Sequence, residues 1–198
     1  MSTVDDDPTR AWVRGAAVVA AFVGLLWLVE IVDAVTAGSL DENGIEPRSQ
    51  EGLVGIAVAP LLHADWAHLE SNSLPLLILG FLVAAVSVVR LFGVLAFAWV
   101  LSGLGVWLLA PSNSITIGAS GLVFGLLTYV MVVGFLERRP LGILIGVGVF
   151  LLYGSVLLGV LPGEAGVSWQ GHLFGAIGGV LAAYFLARRR HRSRTPDW

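Results

Sequence analysis

Six long apolar runs separated by short polar connections organise the chain, at roughly 11–34, 68–89, 91–109, 117–136, 141–161 and 169–187. About 20 apolar residues carry a helix across the hydrocarbon core of a bilayer, so each run predicts one crossing. The first run is too long, and starts too late behind Asp5, Asp6 and Asp7, to read as a cleaved leader. The loop 35–67 is the long one, and it contains "GLVGIAVAPLL" at 52–62. That stretch is apolar but too short to span. It predicts a helix lying in the membrane interface, with Trp66 as an aromatic anchor. No internal repeat is visible, which argues against a solute carrier.

The connections carry the charge. Arg10 and Arg14 precede the first run, Arg90 separates the second from the third, "ERRP" follows the fourth at 137–140, and "RRRHRSR" follows the sixth at 188–194. With six crossings, ten of the eleven arginines share one side and only Arg48 lies on the other. Five or seven crossings would scatter them. The positive-inside rule then puts both termini in the cytoplasm. The expected organisation is a cytoplasmic tail at 1–10, a six-helix membrane domain at 11–187 and a basic cytoplasmic tail at 188–198. That last tail reads as a topology signal facing anionic membrane lipid, not as a nucleic-acid arm.

Composition agrees with lipid as the solvent. The 198 residues are 57% hydrophobic and 13% charged, with a mean hydropathy of +0.87, whereas soluble domains are about a quarter charged. The absence of cysteine excludes disulfides, iron–sulfur clusters and a thiol nucleophile. No H-E-x-x-H is present, and no metal or cofactor is expected.

Strongly polar side chains inside apolar runs are expensive, and therefore functional or paired. The second run opens "HLESNSLP" with His68, Glu70 and Asn72, the fourth opens "GASG" with Ser120, and the sixth opens "WQGHLFGAIGG" with His172. Under six crossings these runs all enter from the outer face, so His68, Asn72, Ser120 and His172 share one depth. A serine hydroxyl needs a neighbouring base to become a nucleophile, and His172 and His68 are both candidates. His68 and Asn72 are four apart and on one helical face, able to aim at one oxygen. Together with the backbone N–H of Ser120 at a helix N-terminus they predict an oxyanion hole. Gly118, Gly121 and Gly125 in the fourth run, and Gly171, Gly175, Gly178 and Gly179 in the sixth, are the spacing that lets two helices pack closely. Taken alone, Ser120 reads as such a packing residue, and His63 as a loop residue near the interface.

At these residues the chain resembles the rhomboid family of intramembrane serine proteases. "HLESN" matches the family's H-x-x-x-N, "GASG" its G-x-S-G, and "GHLFGAIGG" its histidine followed by a glycine-rich helix, in family order over about 55–188. The resemblance implies an all-α membrane protein, a six-transmembrane-helix bundle that cleaves single-span or other transmembrane proteins. Ser120 would be the nucleophile and His172 the base, with His68, Asn72 and Ser120 stabilising the oxyanion. It implies a Ser–His dyad in the plasma membrane, facing the extracytoplasmic side, with no cofactor. Two positions depart from the pattern. The first loop has "EPRS" in place of a Trp-Arg pair, and Phe124 stands where relatives often carry tyrosine, keeping a ring to support the base but no hydroxyl. The competing expectation is a catalytically inactive rhomboid-like binder of client helices.

Overall fold

The structure, a computed structural model, describes residues 8–37, 39–163 and 166–192, with the backbone alone for residue 8 and residues 188–192. Most of the tail expected at 1–10, and residues 193–198 of the tail expected at 188–198, lie outside the described residues. Among the described residues the chain is all-helical, with seven α-helices: α1 Pro8–Val35, α2 Gln50–Val58, α3 Trp66–Val86, α4 Val88–Leu109, α5 Ser120–Leu136, α6 Pro140–Tyr153 and α7 Trp169–Arg192. Five of them are long and apolar enough to cross a bilayer: α1, α3, α4, α7, and α6 with the 3-10 stretch Gly154–Val160 that continues it. The chain is therefore a multi-pass membrane protein. Helix α5, with 17 residues, is shorter.

Helix α5 sits in the middle and packs against α3, α4, α6 and α7, while α1 packs on α3 and α2 on α4. Its sequence explains its place. It is apolar all round, and most of its residues are buried, as expected of a helix enclosed by others. Against α7 the contact is made by backbone. A Cβ on Gly175 would overlap the Gly121 carbonyl, one on Gly179 the Gly125 carbonyl, and one on Gly125 the side chain of Ala98. Gly178 is pressed on the backbone of Phe97 and Ala98 in α4. Thr128 adds a hydrogen bond across the α5–α7 contact, donating to the Ala176 carbonyl at 2.8 Å.

Several boundaries differ from the expected runs, among them the one that sets the position of Ser120. The fourth run was expected from 117, yet α5 starts at Ser120, because Gly118 adopts φ +116° and cannot be helical. Gly118 is thus a turn residue, not the helix-packing residue the spacing suggested. The fifth run narrows to 3-10 geometry after Tyr153. The sixth run does not stop at 187, since α7 continues to Arg192 and takes in the start of the basic segment. The short segment of the first loop is helical as α2, with Ser49 Oγ capping it by accepting from the Gly52 N–H at 2.8 Å. Two indoles of α4 hold this segment down: Trp99 Nε1 donates to the Ile56 carbonyl at 2.7 Å and Trp107 Nε1 to the Ser49 carbonyl at 2.8 Å.

The glycine contacts generate a stability prediction. Gly175→Ala should destabilise the protein by about 1–3 kcal/mol through overpacking. Gly148→Ala, where a Cβ meets nothing within 4 Å, should stay within about 0.5 kcal/mol of wild type. Thermal unfolding of the purified protein in detergent compares the two; equal loss in both would show that the α5–α7 contact tolerates side chains.

Candidate active site

The N-terminus of α5 and the first turn of α7 meet at one end of the bundle. Ser120 is the first residue of α5, so its backbone N–H lies at the positive end of the helix dipole; no acceptor for that N–H is seen among the described residues. Its hydroxyl is 2.9 Å from Nε2 of His172, 52 positions later in sequence. The other ring nitrogen, Nδ1, is 3.0 Å from the carbonyl oxygen of Gly159 in the 3-10 stretch. A carbonyl only accepts, so Nδ1 carries the ring proton. In the neutral ring Nε2 then keeps a lone pair, to which the Ser120 hydroxyl donates. A backbone carbonyl thus sets the tautomer. Phe124, one turn along α5, stacks on the imidazole with centroids 4.2 Å apart and planes 11° from parallel.

The loop entering Ser120 is held from the first loop by a series of hydrogen bonds. Ile45 and Thr116 exchange a pair of backbone bonds at 2.9 and 3.1 Å, and the Gly118 N–H donates to the Ala59 carbonyl at 2.9 Å. The Ala119 N–H donates to Nε2 of His63 at 3.4 Å. The His68 ring lies against the bare face of Gly118, where a Cβ would stand 2.5 Å from its Cε1. Gly118 is therefore required twice, by its positive φ and by the imidazole. Asn72 is buried one turn further along α3, and its Nδ2 donates to the His68 carbonyl at 2.8 Å, which leaves its second amide proton uncommitted to that bond. Gly171 reaches α5 through its carbonyl, while its own α-carbon faces Val106 and Ser168. Among the described residues no group of three or more His, Asp or Glu could hold a metal ion.

A cavity of about 440 Å³ adjoins the imidazole, lined by Phe124, Ser155, Leu158, Gly159, Val167 and His172. A larger one, about 520 Å³, lies at the opposite end of α5, remote from the serine.

Sequence reasoning missed His63 and Gly159. His63 is 1% exposed, with its ring edge-on to His68 at 5.1 Å, so it is a buried support of the serine loop and not an interfacial residue. Burial and the neighbouring His68 push it down to about 4, against a weaker opposing effect of the Leu61 carbonyl. The spacing of "HADWAH" contained a hint, for it puts two histidines five apart at a helix start. Nothing in the sequence marks Gly159, because it acts through a main-chain oxygen.

The depressed His63 value has a definite sign. The unfolded chain binds the proton more readily between about 4 and 6.5, so His63 contributes stability fully above about 6.5 and loses it as pH falls toward 4. His63→Gln, which keeps an acceptor near the Nε2 position but does not titrate, should flatten that part of the pH dependence of thermal unfolding. His63→Leu should flatten it too and in addition destabilise by about 1–3 kcal/mol, leaving the Ala119 N–H unpaired. An unchanged pH slope in both variants would remove His63 from this role.

Comparison with known proteins supplies the relationship. The family model described as the rhomboid domain matches residues 50–189. The chain is 46% identical over 191 residues to an uncharacterized protein of Mycobacterium tuberculosis, covering 92% of this chain and 80% of the relative. It is 34% identical over 158 residues to the chloroplastic rhomboid-like protein 11 of Arabidopsis thaliana, covering 70% of this chain and 54% of that one. A putative rhomboid protease of Bacillus subtilis is 28% identical over 139 residues, covering 67% of this chain and 66% of the other. The matched segment spans α2 to α7 and takes in both the serine loop and the histidine helix, and on this evidence the chain belongs to the rhomboid family.

Proposed function

We propose that this protein is an intramembrane serine endopeptidase that hydrolyses peptide bonds of transmembrane proteins near the outer membrane face. The observation that carries the reading is the 2.9 Å hydrogen bond between Ser120 and His172 at the N-terminus of α5. Family membership supports a protease-type activity, and the putative rhomboid protease of Bacillus subtilis is a relative with that description.

In the proposed mechanism Nε2 of His172 removes the Ser120 proton as Oγ attacks the scissile carbonyl carbon. The same proton is then given to the leaving amine, and the C–N bond breaks to leave an acyl-serine. Water, deprotonated by His172, releases the acyl group and regenerates the serine. The imidazolium formed at each stage is held by the Gly159 carbonyl at Nδ1 and by the face of Phe124, and no carboxylate is used. The oxyanion faces the Ser120 N–H, the second amide proton of Asn72 and the ring of His68.

Placement in the bilayer follows from length. Helix α5 is about 25 Å long at 1.5 Å per residue, several ångströms short of a hydrocarbon core of about 30 Å. With its C-terminal end level with its neighbours, it makes a sixth crossing whose first residue is recessed below the outer surface. The cavity beside His172 then supplies room for water and for the unwound substrate segment. Both termini are cytoplasmic in this arrangement, which also puts the arginines of "ERRP" inside. The protein would reside in the cell membrane.

The test is cleavage of a labelled single-span substrate by protein reconstituted in vesicles. Wild type should cleave, while Ser120→Ala and His172→Ala should not, and a fluorophosphonate should label wild type but not Ser120→Ala. Asn72→Ala should lower kcat by about tenfold to a thousandfold. No cleavage by wild type, or equal cleavage by all, defeats the proposal in favour of a membrane binder of client helices.

A further inference from the structure

At the end of the bundle opposite Ser120, a cavity of about 520 Å³ opens among α3, α5 and α6. Its walls are apolar, from Leu82 and Val86 of α3, Val133 of α5, and Leu141 and Ile145 of α6. Its rim is charged. Arg90 and Glu137 are 2.7 Å apart, and Arg139 lies 3.7 Å from the other carboxylate oxygen of Glu137 with its side chain 52% exposed. Arg138 precedes it, also exposed, on a turn with φ +53°. Arg90 and Arg139 thus flank one carboxylate, with the exposed Arg138 adjacent to Arg139 in the chain, so positive charge is in excess at the mouth of an apolar slot.

That combination selects an amphipathic anion. A free phosphate would gain nothing from the walls, and a neutral apolar chain would gain nothing from the rim. The space is about that of a single helical turn, too little for a crossing helix. Basic pockets between transmembrane helices are sites for acidic headgroups, and guanidinium groups pair well with phosphate. We propose that this cavity binds an anionic phospholipid, with its phosphate at Arg139 in the field of Arg138 and Arg90, and one acyl chain between α3 and α6. The lipid would bridge the turn after α5 to α3, both of which line the cavity, and so hold the end of the bundle that carries no chemistry.

The test is native mass spectrometry of the full chain in detergent micelles, titrated with dioleoylphosphatidylglycerol, dioleoylphosphatidylcholine or inorganic phosphate. One phosphatidylglycerol should bind, about tenfold more tightly than phosphatidylcholine. Arg139→Gln should weaken it roughly fivefold, and the Arg138→Gln/Arg139→Gln pair more than tenfold, with phosphatidylcholine unchanged. Both arginines are exposed, so lipid-free thermal unfolding should match wild type and separate a lost site from a lost fold. Val86→Trp, which narrows the slot, should weaken both lipids. Equal affinity for the two lipids, or undiminished phosphatidylglycerol binding by the double variant, overturns the proposal. Displacement of the lipid by inorganic phosphate at equal concentration, or by a single-span peptide with no anionic group, overturns it as well.

Discussion

The contact between α5 and α7 is the constraint on which the rest depends. Between helices in lipid there is no hydrophobic driving force, because lipid tails are as apolar as leucine, so close packing and a few hydrogen bonds must hold the pair. Here main chain lies against main chain. Gly175 meets the Gly121 carbonyl, Gly179 meets that of Gly125, and Thr128 reaches the Ala176 carbonyl. Any side chain at those glycines would push the helices apart. Since Ser120 is one residue from Gly121, and His172 three from Gly175, the same separation would open the hydrogen bond between hydroxyl and imidazole.

The second requirement is that Ser120 be held from the other side. Its loop contributes little regular structure of its own and borrows rigidity from the first loop, through the Ile45–Thr116 pairing, the Ala59–Gly118 bond and the buried ring of His63. That loop is in turn fastened to α4 by the indoles of Trp99 and Trp107. Arg48, with φ +62°, ties it again to the end of α4, donating to the Leu108 carbonyl and to Ser112 Oγ. The imidazole is oriented by the Gly159 carbonyl and by Phe124, which shares α5 with the serine. Hydroxyl and base therefore sit on different helices, brought together by the glycine contact, the Thr128 bond and the Phe124 ring.

The two ends of the bundle differ in kind. One end carries an imidazole, a carbonyl and an amide around a serine at a helix N-terminus. The other carries an ion-pair cluster, where Arg90 joins Glu137 at 2.7 Å and touches the Tyr129 hydroxyl at 3.4 Å. From the sequence Arg90 looked like a topology signal in a short connection. In the fold it lies within α4 and also links the start of that helix to the end of α5, because the turn after α5 folds back toward it.

The length of uninterrupted apolar runs determined the helical class and the number and order of the long runs, and three short motifs carried the family relationship. These are local properties, set by how many consecutive residues can avoid water and by which residue types repeat at short spacing. The glycines announced close packing for the same reason. Tertiary structure alone decided the rest. Gly118 proved to be a turn beneath His68, and His63 proved to be buried. A carbonyl at Gly159 chose the tautomer of His172. Helix α5 was shortened to begin at the serine. Sequence could not reveal these because they depend on main-chain atoms, identical in every residue, and on distances between segments 13 to 56 positions apart, which become defined only when the helices pack.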